Sequence, residues 1–238
     1  MQNLSFELTG GEILALLGRN GSGKSLTMHT LAGLRSAQTG SVKLNGQAVD
    51  SDRQTIARRL ALLPQYTEDI FPSTVLETVM IGRHPHIGRL RWESDKDRRI
   101  ALDALTQMDL AEMSTRDVST LSGGERRRLA IAQVMTQTPQ VYLLDEPTNH
   151  LDPQHQLEVL QVFADQARNG ASVIVSLHDV NLAVRYADRC LLLFGDGRWK
   201  LDQTSSVLTE ERLSELYKTS MEAISWHGKQ LFVANARC

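Results

Sequence analysis

The stretch GRNGSGKS, Gly18 to Ser25, decides how the rest of the chain is interpreted. It has the spacing GxxxxGK followed by Ser, it comes after the apolar run EILALLG, and a helix-compatible stretch follows it, which is the context this motif requires. Gly21 and Gly23 would let backbone N–H groups converge on phosphate oxygens without side-chain clashes. An ordinary glycine-rich turn would explain the glycines, but not the Lys24 and Ser25 that follow at the required offsets.

This loop predicts a site for a nucleoside triphosphate. Lys24 would reach the β- and γ-phosphates, and the hydroxyl of Ser25 would bind Mg²⁺. The positive end of the following helix would add to the attraction for the phosphates. The residues of this loop that we expect to bind ATP are Gly18, Arg19, Asn20, Gly21, Ser22, Gly23, Lys24, Ser25 and Leu26.

Short apolar runs predict the strands of a sheet. Besides EILALLG, these runs are RRLALLPQ, QVYLLDEP, ASVIVSLHD and RCLLLFGDG. Each is too short for a typical helix, and continuous apolarity is typical of strands buried on both faces of a parallel sheet. Segments with helical spacing lie between them, such as QHQLEVLQVFADQARNG, which ends at Gly170. We therefore expect an α/β fold with a mostly parallel sheet, and a small antiparallel β subdomain formed around SVKLNG and GRWKLDQ.

The middle of the chain differs, since residues 66–116 contain no convincing strand. Helical spacing occurs in STVLETVMIGR and DKDRRIALDALTQMDLAEM, and RHPHIGRLRWESD between them is typical of an exposed linker. We expect one domain over residues 1–238, in which 1–65 and 126–238 form the α/β core and 66–125 form an inserted helical subdomain.

Composition and charge narrow the functional classes. The chain has 238 residues and a formal net charge of −2, which argues against a basic nucleic-acid-binding surface. No apolar run approaches the ~20 residues of a membrane-spanning helix, and the start MQNLSFELTGGE lacks the pattern of a signal peptide. Cys190 and Cys238 are too few for a disulfide framework, and Cys190 is predicted to be a buried thiol. We expect a cytosolic protein.

A pair of carboxylates ends another predicted strand, in VYLLDEPTNHLD. Asp145 would hold Mg²⁺ through water, as a Walker B aspartate does. Glu146 would polarise the attacking water as a general base. Two acidic residues that open a turn before Pro147 are the plainer alternative, which the phosphate loop in the same chain disfavours.

A second glycine pair, in LSGGERRRLAIAQ, precedes a predicted helix with Ser122 as its N-cap. Together with the phosphate loop and LLDEP, this motif makes the sequence resemble the ATP-binding subunit of ABC (ATP-binding cassette) transporters. The resemblance implies a P-loop NTPase core of the RecA-like type and a head-to-tail homodimer that sandwiches two ATP molecules. It also implies action on the other subunit's nucleotide by the signature residues Ser122, Gly123, Gly124 and Glu125.

Three further positions match the same family. Gln65 in LLPQY resembles the Q-loop residue, which touches Mg²⁺ and senses the membrane partner. Asp152 in NHLD resembles the D-loop residue at the dimer interface. His178 in SLHD resembles the switch histidine, which contacts the γ-phosphate and supports Glu146. The resemblance thus implies catalytic roles for Lys24, Glu146 and His178, and an Mg²⁺ site arranged by Ser25, Gln65 and Asp145.

The sequence departs from the family pattern at two places. The family usually has an aromatic residue in an upstream strand that stacks on adenine, whereas Phe6 is expected to point into the core. Because loss of that stacking would weaken nucleotide binding, we expect the true start of the protein to lie upstream of Met1. Leu26 stands where the family usually has threonine, which would remove one hydroxyl contact to the α-phosphate.

Among ATPases of this kind, the sequence favours the subunit that powers an importer. A kinase or GTPase with a phosphate loop should lack LSGGE. A non-transport ABC ATPase stays the alternative, although ribosome-associated factors carry two cassettes in one chain and DNA-repair ATPases carry long coiled coils. One bare cassette fits a peripheral subunit at the cytoplasmic face of the inner membrane, attached to integral membrane permease subunits.

This sequence resembles the importer group that serves iron–siderophore, haem and cobalamin uptake. The resemblance lies in the segments ETVMIGRHPHIGRL, SLHDVNLAVRYADR and VLTEERLSELY. A solute-binding protein would then act on this chain only indirectly, and we expect no nucleic-acid partner. Arg83, Arg89 and Arg91 could pair with acidic groups of the membrane subunits, and a solvated basic face would explain them as well. His84 and His86 have no acidic or cysteine ligand nearby in the sequence, so we do not expect a metal site there.

Overall fold

A central sheet organises the molecule, whose computed structural model describes residues 4–65, 72–88, 91–226 and 228–235. The described strands are β1 (Ile13–Leu17), β2 (Lys43–Leu44), β3 (Gln47–Ala48), β4 (Leu60–Leu63), β5 (Val141–Asp145), β6 (Ser172–Leu177), β7 (Arg189–Leu193), β8 (Trp199–Gln203), β9 (Ser220–Trp226) and β10 (Lys229–Asn235). Each of the predicted apolar runs therefore forms a strand.

In the described part of the chain, the central sheet has the strand order β4-β5-β6-β1-β7-β8. The first five strands of that order run parallel, and β8 pairs antiparallel with β7. The predicted mostly parallel sheet is therefore confirmed. Because the carboxyl ends of parallel strands share one edge of a sheet, the segments that follow β1, β4, β5 and β6 all begin at that edge.

Polar side chains start the main helices. Capping boxes begin α3, α4 and α5 at Thr74, Ser94 and Ser122. Three short 3-10 segments are Ile81–His86, Ala111–Met113 and Val118–Thr120. The helices are α1 (Lys24–Leu31), α2 (Arg53–Ala57), α3 (Val75–Met80), α4 (Asp95–Gln107), α5 (Gly123–Thr136), α6 (Pro153–Arg168), α7 (Val180–Tyr186), α8 (Thr204–Val207) and α9 (Glu210–Tyr217). No helix in the described ranges is both long and apolar enough to cross a bilayer.

Helices cover both faces of the sheet, which explains why its strands are continuously apolar. On β1, Ala15 and Leu17 belong to a large apolar cluster that also contains Phe163, while Leu14 and Leu16 belong to a second cluster on the other face. Phe6 packs against the second cluster, so its predicted orientation toward the core is confirmed. Cys190 is a fully buried free thiol, also as predicted, and burial raises its pKa to about 11.

The predicted helical region contains α3 and α4, which pack against each other and against α5. α5 also contacts β4, so it lies between this helical lobe and the sheet. The limits 66–125 for the helical subdomain stay a prediction, and residues 66–71 lie outside the described ranges.

The prediction of an exposed linker from Arg83 onward is wrong for its first part. Residues 81–86 continue α3 as a 3-10 segment, and Arg83 is only 6% exposed. Its guanidinium donates to Asp97 Oδ1 at 2.8 Å and to Thr136 O at 3.0 Å. Arg83 therefore ties the lobe together instead of presenting a charge to a membrane subunit. Arg91 is exposed, and Arg89 lies outside the described residues.

Two antiparallel hairpins flank the sheet. β2 pairs with β3 beside the core, as SVKLNG predicted, whereas GRWKLDQ forms β8 and extends the main sheet. The hairpin of β9 and β10 was not predicted. Its inner face packs on α7 through Phe232, whose N–H and C=O both bond to the side-chain amide of Asn181.

Replacing Phe163 by alanine should destabilise the domain strongly. The Phe163 ring is 2% exposed and meets the ring of Tyr142 edge-on at 5.3 Å between centroids. Truncation leaves a cavity between α6 and β5, and we expect urea unfolding to give a loss of about 3–5 kcal/mol. Gln161→Ala, at an exposed position of the same helix, should change the unfolding free energy by less than about 0.5 kcal/mol. A loss below about 1 kcal/mol for Phe163→Ala would contradict this packing.

Candidate functional site

The phosphate loop is the turn between β1 and α1. Glycine is required in this loop for two different reasons. Gly21 and Gly23 have φ angles of 78° and 100°, which only glycine adopts without strain. A Cβ atom at either position would meet nothing within 4 Å, so the requirement there is conformational. At Gly18, by contrast, a Cβ atom would collide with Ser22 Oγ and lie 2.7 Å from Leu193 O.

Lys24 opens α1 and turns its ammonium group back into the loop. Lys24 Nζ donates to Gly18 O at 2.9 Å and to Arg19 O at 3.4 Å, and it lies 3.7 Å from Glu146 Oε1. Burial lowers the pKa of Lys24, and the carboxylates of Glu146 and Asp145 partly offset this. A partly desolvated cation in a glycine turn at the start of a helix suits a phosphate group.

The other loop residues have mixed exposure. Arg19 and Asn20 are exposed, and Ser25 is half-buried. Leu26, the departure from the family pattern, is 48% exposed on α1. Thr27, one position later, is buried and its Oγ1 donates to Gly23 O at 2.8 Å, so this hydroxyl supports the loop backbone.

Asp145 ends β5 with one of its two carboxylate oxygens unpaired. Oδ1 accepts from Ser176 Oγ at 2.6 Å, as the register of β5 and β6 allows. Among the described residues, no hydrogen-bond donor reaches the buried Oδ2. A buried carboxylate oxygen that lacks a partner is costly unless a cation satisfies it, and a hard oxygen ligand suits Mg²⁺. The residues present therefore fit the magnesium site that the sequence predicts.

Glu146 is surrounded by donors from four segments of the chain. Oε2 accepts from Gln65 Nε2 at 2.7 Å and from Asn149 Nδ2 at 2.5 Å. Oε1 lies 2.6 Å from His178 Nε2 and 3.7 Å from Lys24 Nζ. Glu146 is 4% exposed, and its backbone φ of 50° is uncommon for a residue other than glycine. Strain and burial at one carboxylate are typical of a functional site.

The structure thus brings together Lys24, Gln65, Asp145, Glu146 and His178, all from segments that begin at the carboxyl edge of the sheet. Their side chains form one polar cluster although they come from four separate segments of the sequence. The arrangement has a cation and backbone donors for phosphate, an open carboxylate oxygen for a metal ion, and a second carboxylate that could accept a proton from water.

The signature residues do not join this cluster. Ser122 Oγ accepts from Glu125 N at 3.2 Å, and Glu125 Oε2 accepts from Ser122 N at 2.7 Å. In the ranges that the structure describes, the side-chain hydrogen bonds of Ser122 and Glu125 stay within the first turn of α5. Ser122 and Gly123 are exposed. The turn therefore presents its hydroxyl and the start of the helix to the outside of the chain.

Asp152 is also separate from the cluster. It caps α6, where Oδ1 accepts from His155 N at 3.0 Å and Oδ2 lies 2.8 Å from His155 Nδ1. The backbone N–H of His155 and then its ring lower the pKa of this exposed carboxyl. The carboxylate stays available on the surface of the chain.

Three residues of the site were missed by sequence reasoning. Asn149 lies within the quoted TNHLD, three positions after Glu146, but an asparagine in a turn usually has a local role. The run SVIVSL has two polar side chains, Ser172 and Ser176, and the position of Ser176 next to the carboxyl end of the strand could have signalled its bonds to Asp145 and to Glu146 N. Arg127 is the middle of three consecutive arginines, and only the structure distinguishes it from its neighbours.

Arg127 is 6% exposed, in the first turns of α5. Its guanidinium donates to Pro64 O at 2.8 Å, Asp145 O at 2.7 Å and Glu146 O at 2.8 Å, with longer bonds to Gln65 O and Pro147 O. Burial lowers its pKa to about 10, against the attraction of the two carboxylates, so it stays charged at neutral pH.

Comparison with known proteins identifies similar chains of one family. The family model described as ABC transporter matches residues 1–149. The hemin import ATP-binding protein HmuV of Pseudomonas fluorescens (strain Pf0-1) is 42% identical over 224 residues, which cover 91% of this chain and 86% of that protein. The petrobactin import ATP-binding protein FpuD of Bacillus anthracis is 36% identical over 220 residues, which cover 92% of this chain and 81% of that protein.

Solved structures agree with these relatives. One structure, described as an inward-facing conformation of a metal-chelate type ABC transporter, has a TM-score of 0.85 and 30% identity, and the match covers 98% of this chain and 90% of that chain. A dimeric bacterial ABC transporter cassette has a TM-score of 0.71 and 25% identity, over 83% of this chain and 88% of that chain.

Ser176→Ala should destabilise the site from within the sheet. The change removes the donor to Asp145 Oδ1 and the acceptor for Glu146 N, and both groups are buried. We expect a loss of about 2–6 kcal/mol in the unfolding free energy, since each of the two unsatisfied buried groups costs about 1–3 kcal/mol. Ser172→Ala on the same strand removes one bond, to Thr9 O, and should cost less. An equal effect of the two substitutions would contradict the double role of Ser176.

Proposed function

The chain belongs to the ABC transporter family, and we propose that it is the ATP-hydrolysing subunit of an importer for a metal chelate. Its relatives are named for the import of hemin and of petrobactin, and a structural neighbour is of metal-chelate type. We propose a ferric siderophore or a related chelate, such as haem or cobalamin, as the transported substrate.

The observation that carries the proposal is the meeting of Lys24, Gln65 and His178 at the Glu146 carboxylate. With Glu146, these residues come from four separate motifs. Hydrolysis of ATP needs the phosphate-binding, metal-binding, water-activating and γ-phosphate-contacting groups at one place. Lys24 and the loop backbone would bind the β- and γ-phosphates, and His178 would contact the γ-phosphate. Glu146 would orient the attacking water and accept its proton, which is the role of a general base.

Magnesium binding follows from the chemistry of the same residues. Ser25, Gln65 and Asp145 would hold Mg²⁺, which supplies positive charge to the phosphate oxygens. The unpaired Asp145 Oδ2 supports this assignment, because a bound cation would remove its desolvation cost. Ser176 would keep the Asp145 carboxylate in one orientation through its bond to Oδ1.

The proposed active unit is a homodimer. Ser122 caps a helix of 14 residues that begins with Gly123, Gly124 and Glu125, and the N-terminal dipole of this helix would stabilise the γ-phosphate of the other subunit's ATP. Asp152 would lie at the same interface. Each phosphate loop would then form half of a composite site, and hydrolysis would require the second copy.

The membrane partners follow from the family. We propose that the dimer binds integral membrane permease subunits as a peripheral complex at the cytoplasmic face of the inner membrane. A solute-binding protein would deliver the substrate to the permease and act on this chain only indirectly. Closure of the dimer on ATP and its reopening after hydrolysis would drive the permease.

Glu146→Gln should abolish most turnover without preventing ATP binding. The amide keeps the size of the side chain but cannot accept a proton from water. We expect ATP hydrolysis by the purified chain to fall by at least ~100-fold, because general bases contribute about 10²–10⁴-fold. Glu158→Gln, an exposed position on α6, should leave the rate unchanged. Near-normal hydrolysis by Glu146→Gln would remove the proposed role of Glu146.

Lys24→Ala should instead weaken nucleotide binding. It removes the one ammonium group that the loop carbonyls of Gly18 and Arg19 hold, and the phosphates lose a charge-assisted partner. We expect the Kd of a fluorescent ATP analogue to rise by at least about tenfold, which corresponds to about 1.4 kcal/mol. Lys43→Ala, an exposed lysine on β2, is the matched control. An unchanged Kd for Lys24→Ala would count against this loop as the phosphate site.

A further inference from the structure

Three consecutive arginines on α5 have different partners. Arg126 donates to Ser119 O and Leu121 O, just before the helix, and Arg128 donates to Met108 O. Both therefore bind the segments that lead from α4 into α5. Arg127 donates instead to the carboxyl edge of the sheet.

The acceptors of Arg127 come from two separate segments. Pro64 and Gln65 follow β4, whereas Asp145 ends β5 and residues 146–147 follow it. All of these acceptors are backbone carbonyls. The guanidinium therefore bridges the two backbones that carry the side chains of Gln65 and Glu146, and those side chains bond to each other at 2.7 Å.

We propose that Arg127 is a positioning residue that joins the signature turn of α5 to the two segments carrying Gln65 and Glu146. This proposal rests on the proposed ATPase function. It adds a connection, within one subunit, between the two composite ATP sites of the dimer. Gln65 and Glu146 serve the nucleotide bound by this chain, whereas Ser122 serves the nucleotide of the other subunit.

The rigidity of a helix makes this connection effective. Ser122 caps the helix on which Arg127 lies five positions later, a separation of about 7.5 Å along the axis. A helix does not compress over this distance, so a shift of the segments after β4 and β5 moves the signature turn as well. Loss of the bridge would let the two parts move independently, and productive alignment of both with ATP would become rarer.

The shape of the guanidinium matters as well as its charge. Its planar fork points Nη1 at Pro64 O and Nη2 at Asp145 O and Glu146 O. A lysine carries its three donors on one nitrogen, so it can approach one segment but cannot span both in the same way. Arg127→Lys should therefore retain the charge and part of the function, and Arg127→Gln should lose the bridge.

The test compares Arg127→Gln and Arg127→Lys with Arg83→Gln. Arg83 is equally buried, at 6%, and donates to Thr136 O and Asp97 within the helical lobe, so it controls for loss of a buried arginine. For each full-length variant, thermal unfolding, the Kd of a fluorescent ATP analogue, and kcat and KM for ATP are measured at a temperature where the protein is folded. A second series adds each substitution to Glu146→Gln and measures dimer formation with Mg·ATP.

We expect Arg127→Gln to lower kcat at least tenfold while the Kd for the analogue changes less than twofold, because Lys24 and its loop are untouched. The kcat of Arg127→Lys should lie between that of Arg127→Gln and that of the unsubstituted chain. Arg127→Gln in the Glu146→Gln chain should need at least tenfold more protein to dimerise. Arg83→Gln should lower the melting temperature but leave kcat within twofold.

An unchanged kcat, unchanged dimerisation, or losses that simply follow the melting temperature as in Arg83→Gln would overturn the proposal. If Arg127→Gln does not fold, the lysine variant decides by the same readouts. Failure of the unsubstituted chain to hydrolyse ATP would instead contradict the proposed function, so the two failures are distinct.

Discussion

Burial of the Glu146 carboxylate requires the hydrogen bonds and ion pairs that hold the other residues of the site in place. A carboxylate that is 4% exposed must be compensated, and here Lys24, Gln65, Asn149 and His178 provide the compensation. These partners follow different strands, so they can meet only where the parallel strands end together. The order of the sheet and the chemistry of the site are therefore one arrangement. The neighbouring Asp145 differs, because one of its oxygens is bonded by Ser176 and the other is open, which separates a metal-binding carboxylate from a proton-accepting one.

Much of this arrangement could be predicted from the sequence, because some patterns have one physical explanation. Continuous apolar runs of five or six residues predicted β1, β5, β6 and β7, since a strand between two helical layers is buried on both faces. The glycine, lysine and serine spacing of the phosphate loop predicted a strand, a turn and a helix together. The residues adjacent to strand ends, Gln65, Asp145 and His178, then had to lie at one edge.

Other features depend on contacts that no local pattern contains. Arg83 lies in a polar stretch typical of a linker, and its burial comes from Asp97 and Thr136, which are distant in sequence. The C-terminal hairpin of β9 and β10 has short alternating patterns, and its stability comes from packing on α7 through Asn181 and Phe232. Arg127 differs from Arg126 and Arg128 only in the direction in which a helix turns its side chain, and that direction depends on the packing of α5 against the sheet.

We propose that the phosphate loop forms half of a site that a second copy completes. Light scattering on the Glu146→Gln chain, first with Mg·ATP and then with ADP, measures whether that second copy binds. We expect a particle of twice the 26.6 kDa chain mass with ATP, and the single chain with ADP. A single chain under both conditions, with ATP shown to be bound, would contradict it.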